Sequence, residues 1–401
     1  MAKLFIEDLE FQGRKALIRV DFNVPLDEKK NITDDTRIRA ALPTIKYVLE
    51  KGGCAILMSH LGRPKGTGFD PQFSLKPAAD HLATLLGKPV TMAPDCVGPE
   101  VEAIVAKMKP GDVTLLENVR FHKAEQGKDA PEVNEAFAKN LAKLGDLYVD
   151  DAFGTAHRPD ASMVGVTKHV AQCAAGYLLQ KEIKYLSEAV ESPQRPFVAI
   201  LGGAKVSDKI PVIENLLTKA DTIIIGGAMA YTFLKAKGVN VGRSLVEPDF
   251  ISVAKEFIEK AAQKGAPLIL PVDHVVANAI DNASGSRTTE NEHVPDGMIA
   301  VDIGPHTQKL YADLILKAKT IVWNGPMGVF ETPEFAKGTF AIAKAVADSG
   351  AVSIVGGGDS VSAVNKSGVA AKISHISTGG GASLEYLEGK VLPGIAALSE
   401  K

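Results

Sequence analysis

The chain has 401 residues, a formal net charge of −3 at pH 7 and 45% hydrophobic residues. Its length exceeds the usual size of one domain, so two domains are expected, and the weakly negative charge argues against a nucleic-acid partner. No apolar run is long enough to cross a bilayer, MAKLFIEDLE lacks the pattern of a signal peptide, and three scattered cysteines without a C-x-x-C pair are typical of a reducing cytosol. We therefore expect a cytoplasmic protein with no membrane partner.

Apolar runs with the length of buried strands recur along the chain, with helical patterns between them. The predicted strands are Ala16–Val20, Ala55–Met58, Val113–Leu116, Leu147–Val149, Phe197–Leu201, Thr222–Ile225, Leu268–Leu270, Thr320–Trp323 and Val352–Val355. The predicted helices include Arg37–Leu49, Leu75–Leu86, Val133–Leu144, Phe250–Gln263 and Phe340–Ala347. Continuous apolar strands alternating with helices are typical of parallel sheets covered on both faces. The predicted fold class is α/β, with two domains that each hold a Rossmann-like parallel sheet between layers of helices.

The two halves of the chain differ in their polar residues. Seven of the ten arginines precede residue 160, whereas paired or tripled glycines follow the strands of the second half. Between the halves, Tyr177–Val190 has a helical pattern that ends before Ser192-Pro193. We therefore expect a first domain over residues 1–175, a connecting hinge helix over 176–190 and a second domain over 191–390.

In the first half, polar and basic residues follow the predicted strands. The motifs RVDFNVP, SHLGRP, ENVRF and AFGTAHRP place Asp21, Asn23, His60, Arg63, Arg120, His157 and Arg158 just past strands, and Arg37 opens a helix in DDTRI. Loops at the carboxyl edge of a parallel sheet converge on one crevice, where ligands bind. Arginine's planar fork matches carboxylate and phosphate oxygens, so this set predicts a site for a small, highly negative molecule.

Each of these residues also has a structural interpretation. A lone arginine is usually solvated or paired with a nearby acid, and Arg37 has Asp34 and Asp35 beside it. We interpret Arg14, Arg19 and Arg39 as structural. The functional interpretation is favoured only for the set as a whole.

In the second half, the stretch FVAILGGAKVSDKIP (197–211) joins a strand to a glycine turn and then to a lysine-containing segment. Gly202 and Gly203 end the strand, and we expect Lys205, Asp208 and Lys209 to open a helix that ends before Pro211. The glycine turn and the helix start would put bare backbone N–H groups and two ammonium groups at the carboxyl edge of a sheet. Unpaired N–H groups and a positive helix end bind phosphate well. A tight turn followed by a solvated charged face explains the same stretch equally well.

Four further glycine motifs suggest the same kind of site. Gly226–Gly227 follows another strand; WNGPMGVFE places Asn324 and Glu331; SIVGGGDSV and STGGGASLEYL each place glycines before a helix. Asp359 offers a carboxylate for Mg²⁺, although a helix cap is the competing interpretation. Each motif alone is weak, and the chain lacks both the G-x-x-x-x-G-K-[ST] and the G-x-G-x-x-G patterns.

Together these motifs resemble the phosphoglycerate kinase family from end to end. The resemblance rests on RVDFNVP, DDTRI, SHLGRP, LENVRF, DAFGTAHR, LGGAKVSDKI, NGPMGVFE, GGGDSV and STGGGASLEYLEG, all in the family's order. It implies a hinge-bending glycolytic kinase, mostly monomeric in the family, that transfers a phosphoryl group in line between Mg-ATP and the carboxylate of 3-phosphoglycerate after hinge closure. It also implies that residues 391–401 return to the first domain.

The resemblance assigns a role to each candidate residue. Asp21, Asn23, Arg37, His60, Arg63, Arg120 and Arg158 would hold phosphoglycerate. The nucleotide would contact Gly202, Gly203, Lys205, Lys209, Gly226, Gly227, Asn324, Glu331, Gly357, Gly358, Asp359 and Ser360, with Asp359 on Mg²⁺. Arg37, Lys205, Lys209, Gly358 and Gly380 would act on the transferring group. Ser360 stands where the family commonly has threonine, and the loop from His122 to Pro131 is slightly long and polar.

Two other functions are compatible with parts of the sequence. A non-catalytic nucleotide- and anion-binding regulator would be expected to lose a cation such as Arg37 or Lys205, and both are present. A Rossmann dehydrogenase is disfavoured by the missing G-x-G-x-x-G motif.

Overall fold

The computed structural model describes residues 3–401, which form two compact units. The first unit comprises the chain up to Ile183 together with Val391–Lys401, and the second comprises Lys184–Lys390. The division falls within one helix, Tyr177–Glu191. No helix within residues 3–401 is long and apolar enough to span a membrane.

The first unit alternates strands and helices. Its elements are β1 (Lys15–Val20), α1 (Thr36–Glu50), β2 (Cys54–Met58), α2 (Lys76–Leu86), β3 (Thr91–Met92), α3 (Pro99–Ala106), β4 (Val113–Leu115), α4 (Pro131–Ala142), β5 (Leu147–Asp151), β6 (Cys173–Ala175) and the start of α5 (Tyr177–Glu191). The strands form a six-stranded parallel sheet in the order β3-β4-β2-β1-β5-β6. Alternate apolar residues of β1, β2 and β5 pack against α1 and α2 in one core. The residues between them are buried as well, so the central strands are covered on both faces.

The C-terminal residues belong to the first unit. Val391–Lys401 contains the short helix α13 (Pro393–Ala396), whose Gly394 N–H donates to the Ala156 carbonyl at 2.8 Å. Leu4 and Cys173 also exchange backbone bonds with Ser399. The last residues therefore pack against the segment that follows β5.

The second unit begins within α5 and carries a second parallel sheet. Its elements are β7 (Phe197–Leu201), α6 (Ile210–Leu216), β8 (Thr222–Ile225), α7 (Met229–Ala236), α8 (Ile251–Lys264), β9 (Leu268–Ile269), β10 (His274–Ala277), β11 (Arg287–Thr288), β12 (Ile299–Ile303), α9 (Pro305–Ile315), β13 (Thr320–Asn324), α10 (Lys337–Asp348), β14 (Val352–Gly356), α11 (Gly358–Lys366), β15 (His375–Ile376) and α12 (Gly381–Leu387). The parallel sheet has the order β15-β14-β13-β7-β8-β9. A separate antiparallel sheet, β11-β10-β12, packs beside α7 over its own small core.

Strand register determines which loops of the second unit meet. Leu201 pairs with Asn324, and Asn324 pairs with Gly356, so β7, β13 and β14 end in one row. The glycines that follow these strands therefore lie side by side at the carboxyl edge of the sheet.

The predicted fold class is confirmed, since each unit holds a six-stranded parallel sheet flanked by helices. One local prediction is wrong: Lys205, Asp208 and Lys209 do not open a helix that ends before Pro211. Residues Ser207–Lys209 form a single 3-10 turn, and Pro211 lies in the first turn of α6. Proline suits that position because its missing N–H would have no partner there.

Candidate active site

Loops at the carboxyl edge of the first sheet bring together most of the predicted anion-binding residues. Asp21 and Asn23 follow β1, His60 follows β2, and Arg120 follows β4 in a short 3-10 turn. Because these strands are parallel and adjacent, their following loops lie on one edge.

Arg37 turns toward this edge and not toward the acids beside it in sequence. Its Nη1 lies 3.1 Å from the Asp21 Oδ2 atom and donates to the Asn23 carbonyl at 3.0 Å. Asp35 instead pairs with Arg39 at 2.9 Å. Arg37 is therefore fixed by two residues of the RVDFNVP loop, while a third of its side chain (38%) remains exposed to a ligand.

Gly62 connects the loops that follow β1 and β2 to the one that follows β4. Its N–H donates to Asn23 Oδ1 at 2.8 Å, and its carbonyl accepts from Arg120 Nη1 at 3.0 Å. Its φ is +61°, and a Cβ there would lie 2.5 Å from the Phe73 ring. Only glycine combines this left-handed backbone with so close an approach.

His60 lies among guanidinium groups. It is buried, and burial followed by the charges of Arg19, Arg120, Arg37 and Arg158 holds the pKa of its imidazole well below the usual value. Arg19, which we interpreted as structural, is thus part of the cluster around His60. Its position beside His60 was not predicted, because Arg19 lies inside β1 among apolar neighbours.

Arg63 and Arg158 make fewer contacts with the other predicted anion-binding residues. Arg63 is exposed and makes no hydrogen bond or ion pair with any residue between 3 and 401. Arg158 is half-buried and lies near enough to His60 and Arg120 for its charge to lower the pKa of both groups. Hydrogen bonds and an ion pair therefore link Asp21, Asn23, Arg37 and Arg120 through Gly62. His60 contacts Arg19, and Arg158 acts on His60 and Arg120 through charge.

In the second unit the glycine loops touch backbone to backbone. A Cβ at Gly202 would lie 2.1 Å from the Pro326 carbonyl oxygen, and one at Gly226 would lie 2.3 Å from the Met327 sulfur. The N–H groups of Gly202 and Gly203 already donate to the Asn324 and Pro326 carbonyls, at 2.9 and 3.2 Å. The predicted bare N–H groups are therefore not those of Gly202 and Gly203, whose lack of a side chain allows two loops to pack closely.

The loop after β13 is also held by buried side chains. The Trp323 indole N–H donates to the Gly325 carbonyl at 2.7 Å, and the Gly325 N–H donates to Ser360 Oγ at 2.6 Å. Ser360 is buried, so in this structure its hydroxyl oxygen supports the loop. Asn324 Oδ1 accepts from the Lys209 ammonium.

The two lysines differ in their surroundings. Burial lowers the pKa of the Lys209 ammonium, while the nearby carboxylates of Asp208, Glu388 and Asp359 oppose that shift. Lys205 is exposed in the loop before the 3-10 turn and has no hydrogen-bond partner within the described range 3–401. Lys209 is thus already positioned, whereas Lys205 is exposed and lies near Glu247, whose pKa its charge helps to lower.

The amino end of α11 is open. Gly357 has φ +90°, no side chain of residues 3–401 caps the helix, and a Cβ at Gly358 would meet nothing within 4 Å. Asp359 is exposed in the first turn. This arrangement leaves first-turn N–H groups facing open space, which favours an anion. Gly380, with φ +47°, precedes α12 and likewise has open space where its Cβ would be.

A cavity of about 210 Å³ lies beside these loops. It is lined by Gly203, Ala204, Gly227, Ala228, Tyr231, Ala300, Val301, Pro326, Met327, Gly328, Val329, Glu331 and Asp359. Most of this wall is apolar or backbone, with two carboxylates, Glu331 and Asp359, at its polar part. Gly203, Gly227, Glu331 and Asp359 were all predicted for one site, and the cavity brings them together.

Asp302 supports this cavity and was not predicted. It is buried in β12, where its carboxylate accepts from the Gly338 N–H at 2.6 Å and from the Ile303 N–H at 2.9 Å. Burial raises the pKa of this carboxyl to about 7. A Cβ at Gly328 would lie 2.6 Å from its Oδ1. The only sequence signal is an acidic residue within an apolar run, IAVDI.

Asp359 is the residue predicted to bind Mg²⁺, and its neighbours decide whether it could do so alone. Within the described part of the chain, one group of three side chains could hold a metal ion: Asp95, Cys96 and His122 of the first unit. Their ligand atoms lie within 4.8 Å of one another. Asp359 is not part of such a group. It is compatible with Mg²⁺, which is commonly held by one or two carboxylates together with substrate phosphates.

Comparisons with known proteins all indicate the same family. The family model described as "Phosphoglycerate kinase" matches residues 6–390. Phosphoglycerate kinases from Moorella thermoacetica and Chloroherpeton thalassium are 58% and 56% identical, each over 100% of both chains. The solved structure of phosphoglycerate kinase from Coxiella burnetii superposes with a TM-score of 0.89 at 44% identity, covering 98% of both chains.

Proposed function

Because the chain belongs to the phosphoglycerate kinase family, we propose that it catalyses reversible phosphoryl transfer between ATP and the carboxylate of 3-phosphoglycerate. The products of the forward direction are ADP and 1,3-bisphosphoglycerate. The observation that carries the proposal is the full-length family match together with the guanidinium cluster around His60. This chemistry makes the chain a phosphotransferase with a carboxyl group as acceptor.

The first unit binds the phosphoglycerate. Its anionic groups are met by Arg37, Arg63, Arg120 and Arg158, whose forks suit phosphate and carboxylate oxygens. About a third of the Arg37 side chain is exposed, so it can reach a substrate carboxylate. Asp21 and Asn23 hold Arg37 and can accept from the substrate hydroxyl.

The second unit binds the nucleotide. The apolar cavity wall suits a base, and Glu331 at its polar part can accept from a ribose hydroxyl. The open first turn of α11, from Gly357 to Ser360, suits phosphate. Gly202, Gly203, Gly226 and Gly227 keep the loops close enough for this cavity to form.

Mg²⁺ would be held by Asp359 together with nucleotide phosphate oxygens. When bound, it would neutralise negative charge on the nucleotide. Asp359 is exposed and lies beside the open amino end of α11, so its carboxylate can share a cation with a phosphate there.

The reaction needs charge compensation and no general base. The acceptor carboxylate is ionised at neutral pH, so no proton has to be removed from it. Two anions must approach instead, and charge spreads over the equatorial oxygens of the transferring group. Arg37, Lys205 and Lys209, with N–H groups near Gly358 and Gly380, supply the opposing charge.

We also propose that the chain acts as a monomer in the cytoplasm. Sedimentation equilibrium tests the first part, with a mass near 42.4 kDa expected; twice that mass would overturn it. Cell fractionation tests the second, and recovery with membranes would contradict it.

The test of the function is ADP-dependent ATP formation from 1,3-bisphosphoglycerate by the purified chain. Arg37→Ala should lose about a hundred- to a thousandfold in turnover, the usual cost of one preorganised charge-stabilising donor. Arg39→Ala is the matched control, since Arg39 lies on the same helix but pairs with Asp35 at the surface. An inactive wild-type chain, or full turnover in Arg37→Ala, would overturn the proposal.

A further inference from the structure

We propose that Arg19 is a positioning residue that fixes His60 as the neutral imidazole with its proton on Nε2. His60 then presents an N–H donor, and never a lone pair, to the phosphoglycerate. The identity of this ligand rests on the function proposed above, whereas the tautomer is a property of the chain without ligand.

Arg19 is held on every side by hydrogen bonds. It is fully buried in β1, with 0% of its surface exposed. Its Nε donates to Ser162 Oγ at 2.8 Å, its Nη1 donates to the Val20 carbonyl, and its Nη2 lies 3.2 Å from His60 Nδ1. A guanidinium bonded at all three nitrogens has one orientation, so the nitrogen that faces His60 is fixed.

Behind Arg19, Ser162 connects the guanidinium to the buried side chain of Glu125. Glu125 has 0% exposure and accepts from the Ser162 N–H at 2.9 Å and from the Ser162 hydroxyl at 2.6 Å. The guanidinium can only donate, so the Ser162 oxygen accepts from Arg19, and the one proton of the Ser162 hydroxyl is directed to Glu125. Glu125 and Asp160 lie near Arg19: burial raises the pKa of Glu125 to about 7 and also raises that of Asp160, and the charge of Arg19 opposes both shifts.

The chemistry of the guanidinium decides the His60 tautomer. Arginine has donors only and does not lose its proton in proteins, so Nδ1 of His60 must be the acceptor. A neutral ring whose Nδ1 carries the lone pair carries its proton on Nε2. Across residues 3–401, no hydrogen bond to Nε2 is made and Nε2 is not a buried orphan, so it is open to a ligand.

The charged groups around the ring keep it neutral. Burial, followed by the charges of Arg19, Arg120, Arg37 and Arg158, holds the pKa of His60 well below its usual value. A second proton on Nδ1 would also point at the Arg19 N–H. Without Arg19, the ring is free to take the other tautomer, which would present a lone pair to an anionic oxygen.

The first test is a long-range ¹H–¹⁵N spectrum of histidine-labelled, ligand-free chain at pH 7. The chain has 9 histidines, and the His60 resonances are those missing from His60→Gln. We expect the pattern of a neutral ring protonated on Nε2. An Nδ1-protonated ring, or an imidazolium, would overturn the proposal whatever the enzyme's activity.

The second test removes Arg19 without leaving an unpaired buried charge. The double variant Arg19→Met/Glu125→Gln removes both charges together, and Ser162→Ala loosens Arg19 while keeping its charge. We expect mixed tautomers in the double variant and a KM for phosphoglycerate raised about tenfold to a hundredfold, the range for a lost hydrogen bond to a charged group. The KM for ATP should not change.

Controls separate this proposal from folding and from the proposed function. Arg14→Gln, an exposed arginine just before the same strand, should leave the His60 spectrum and both KM values unchanged. If the double variant does not fold, Ser162→Ala should still show a second tautomer. A single Nε2-protonated form with unchanged KM in every folded variant would overturn the positioning role. An inactive wild-type chain with the expected tautomer would instead remove only the substrate assignment.

Discussion

Replacing Gly227 by alanine should destabilise the second unit and weaken nucleotide binding together. Gly227 has φ +67°, and a Cβ there would lie 2.4 Å from the Gly203 nitrogen and 2.5 Å from its carbonyl oxygen. These are backbone atoms of a neighbouring loop, so they cannot turn aside as a side chain would. The cavity wall that Gly203 and Gly227 share would have to move.

The expected loss has two parts. A non-glycine residue in the left-handed region costs about 1–2 kcal/mol, and overpacking a close contact costs about 1–3 kcal/mol, which gives about 2–5 kcal/mol in all. Gly238→Ala is the matched control, because it has φ +82° but open space within 4 Å of its Cβ. It should lose only the first part, about 1–2 kcal/mol.

The chain supplies its own reporter for this comparison. Trp323 is the only tryptophan of the sequence and is fully buried in β13 of the second unit. Urea unfolding followed by its fluorescence therefore reports the stability of this unit, and calorimetric titration with ADP reports the cavity. If Gly227→Ala unfolds at the same midpoint as Gly238→Ala and binds ADP as tightly as wild type, the close-packing argument is wrong.

Three further predictions concern Lys205, Asp302 and closure of the hinge. Lys205→Ala should lower turnover about a hundred- to a thousandfold while ADP affinity in calorimetry changes little; full turnover would remove Lys205 from the reaction. Burial raises the pKa of Asp302 from 3.8 to about 7, so the folded chain keeps a proton that the unfolded chain loses. The free energy of unfolding should therefore fall as pH rises between these values, by up to about 1.4 kcal/mol per pH unit. The slope of unfolding free energy against pH can be measured by urea unfolding followed by Trp323 fluorescence. Asp302→Asn should flatten that slope, whereas Asp313→Asn, at an exposed position, should not. Equal slopes in the two variants would refute the role of Asp302. Hinge closure stays a prediction: small-angle scattering should give a smaller radius of gyration with both substrates, and an unchanged radius would count against it.

The sequence predicted the central strands of both sheets because they are long apolar runs. Phe197–Leu201 and Thr222–Ile225 were predicted with the bounds that the structure has. The edge strands Thr91–Met92 and His375–Ile376 were not predicted, because two residues carry no periodicity. The antiparallel sheet was also missed, since charged and polar residues interrupt its short strands.

The candidate site was predicted as residue types at strand ends, and its supporting contacts were not. Arg37 could be placed on the right loop cluster, but its partner Asp21 lies 16 residues away and no local pattern selects it over Asp34 or Asp35. Arg19 and Glu125 are polar residues within buried segments, and only the tertiary structure shows that Ser162 connects them. Such buried networks depend on contacts distant in sequence, which a single chain's pattern does not encode.

The claim that positioned cations carry the reaction is tested most directly by the single-turnover rate of phosphoryl transfer from 1,3-bisphosphoglycerate to ADP. The rate is measured for wild type and for Lys209→Met, with both substrates saturating. The account predicts that wild type forms ATP and that the variant is about a hundred- to a thousandfold slower, because Lys209 supplies charge to the transferring group. A wild type that forms no ATP, or a variant that matches its rate, would contradict the claim that positioned cations carry this reaction.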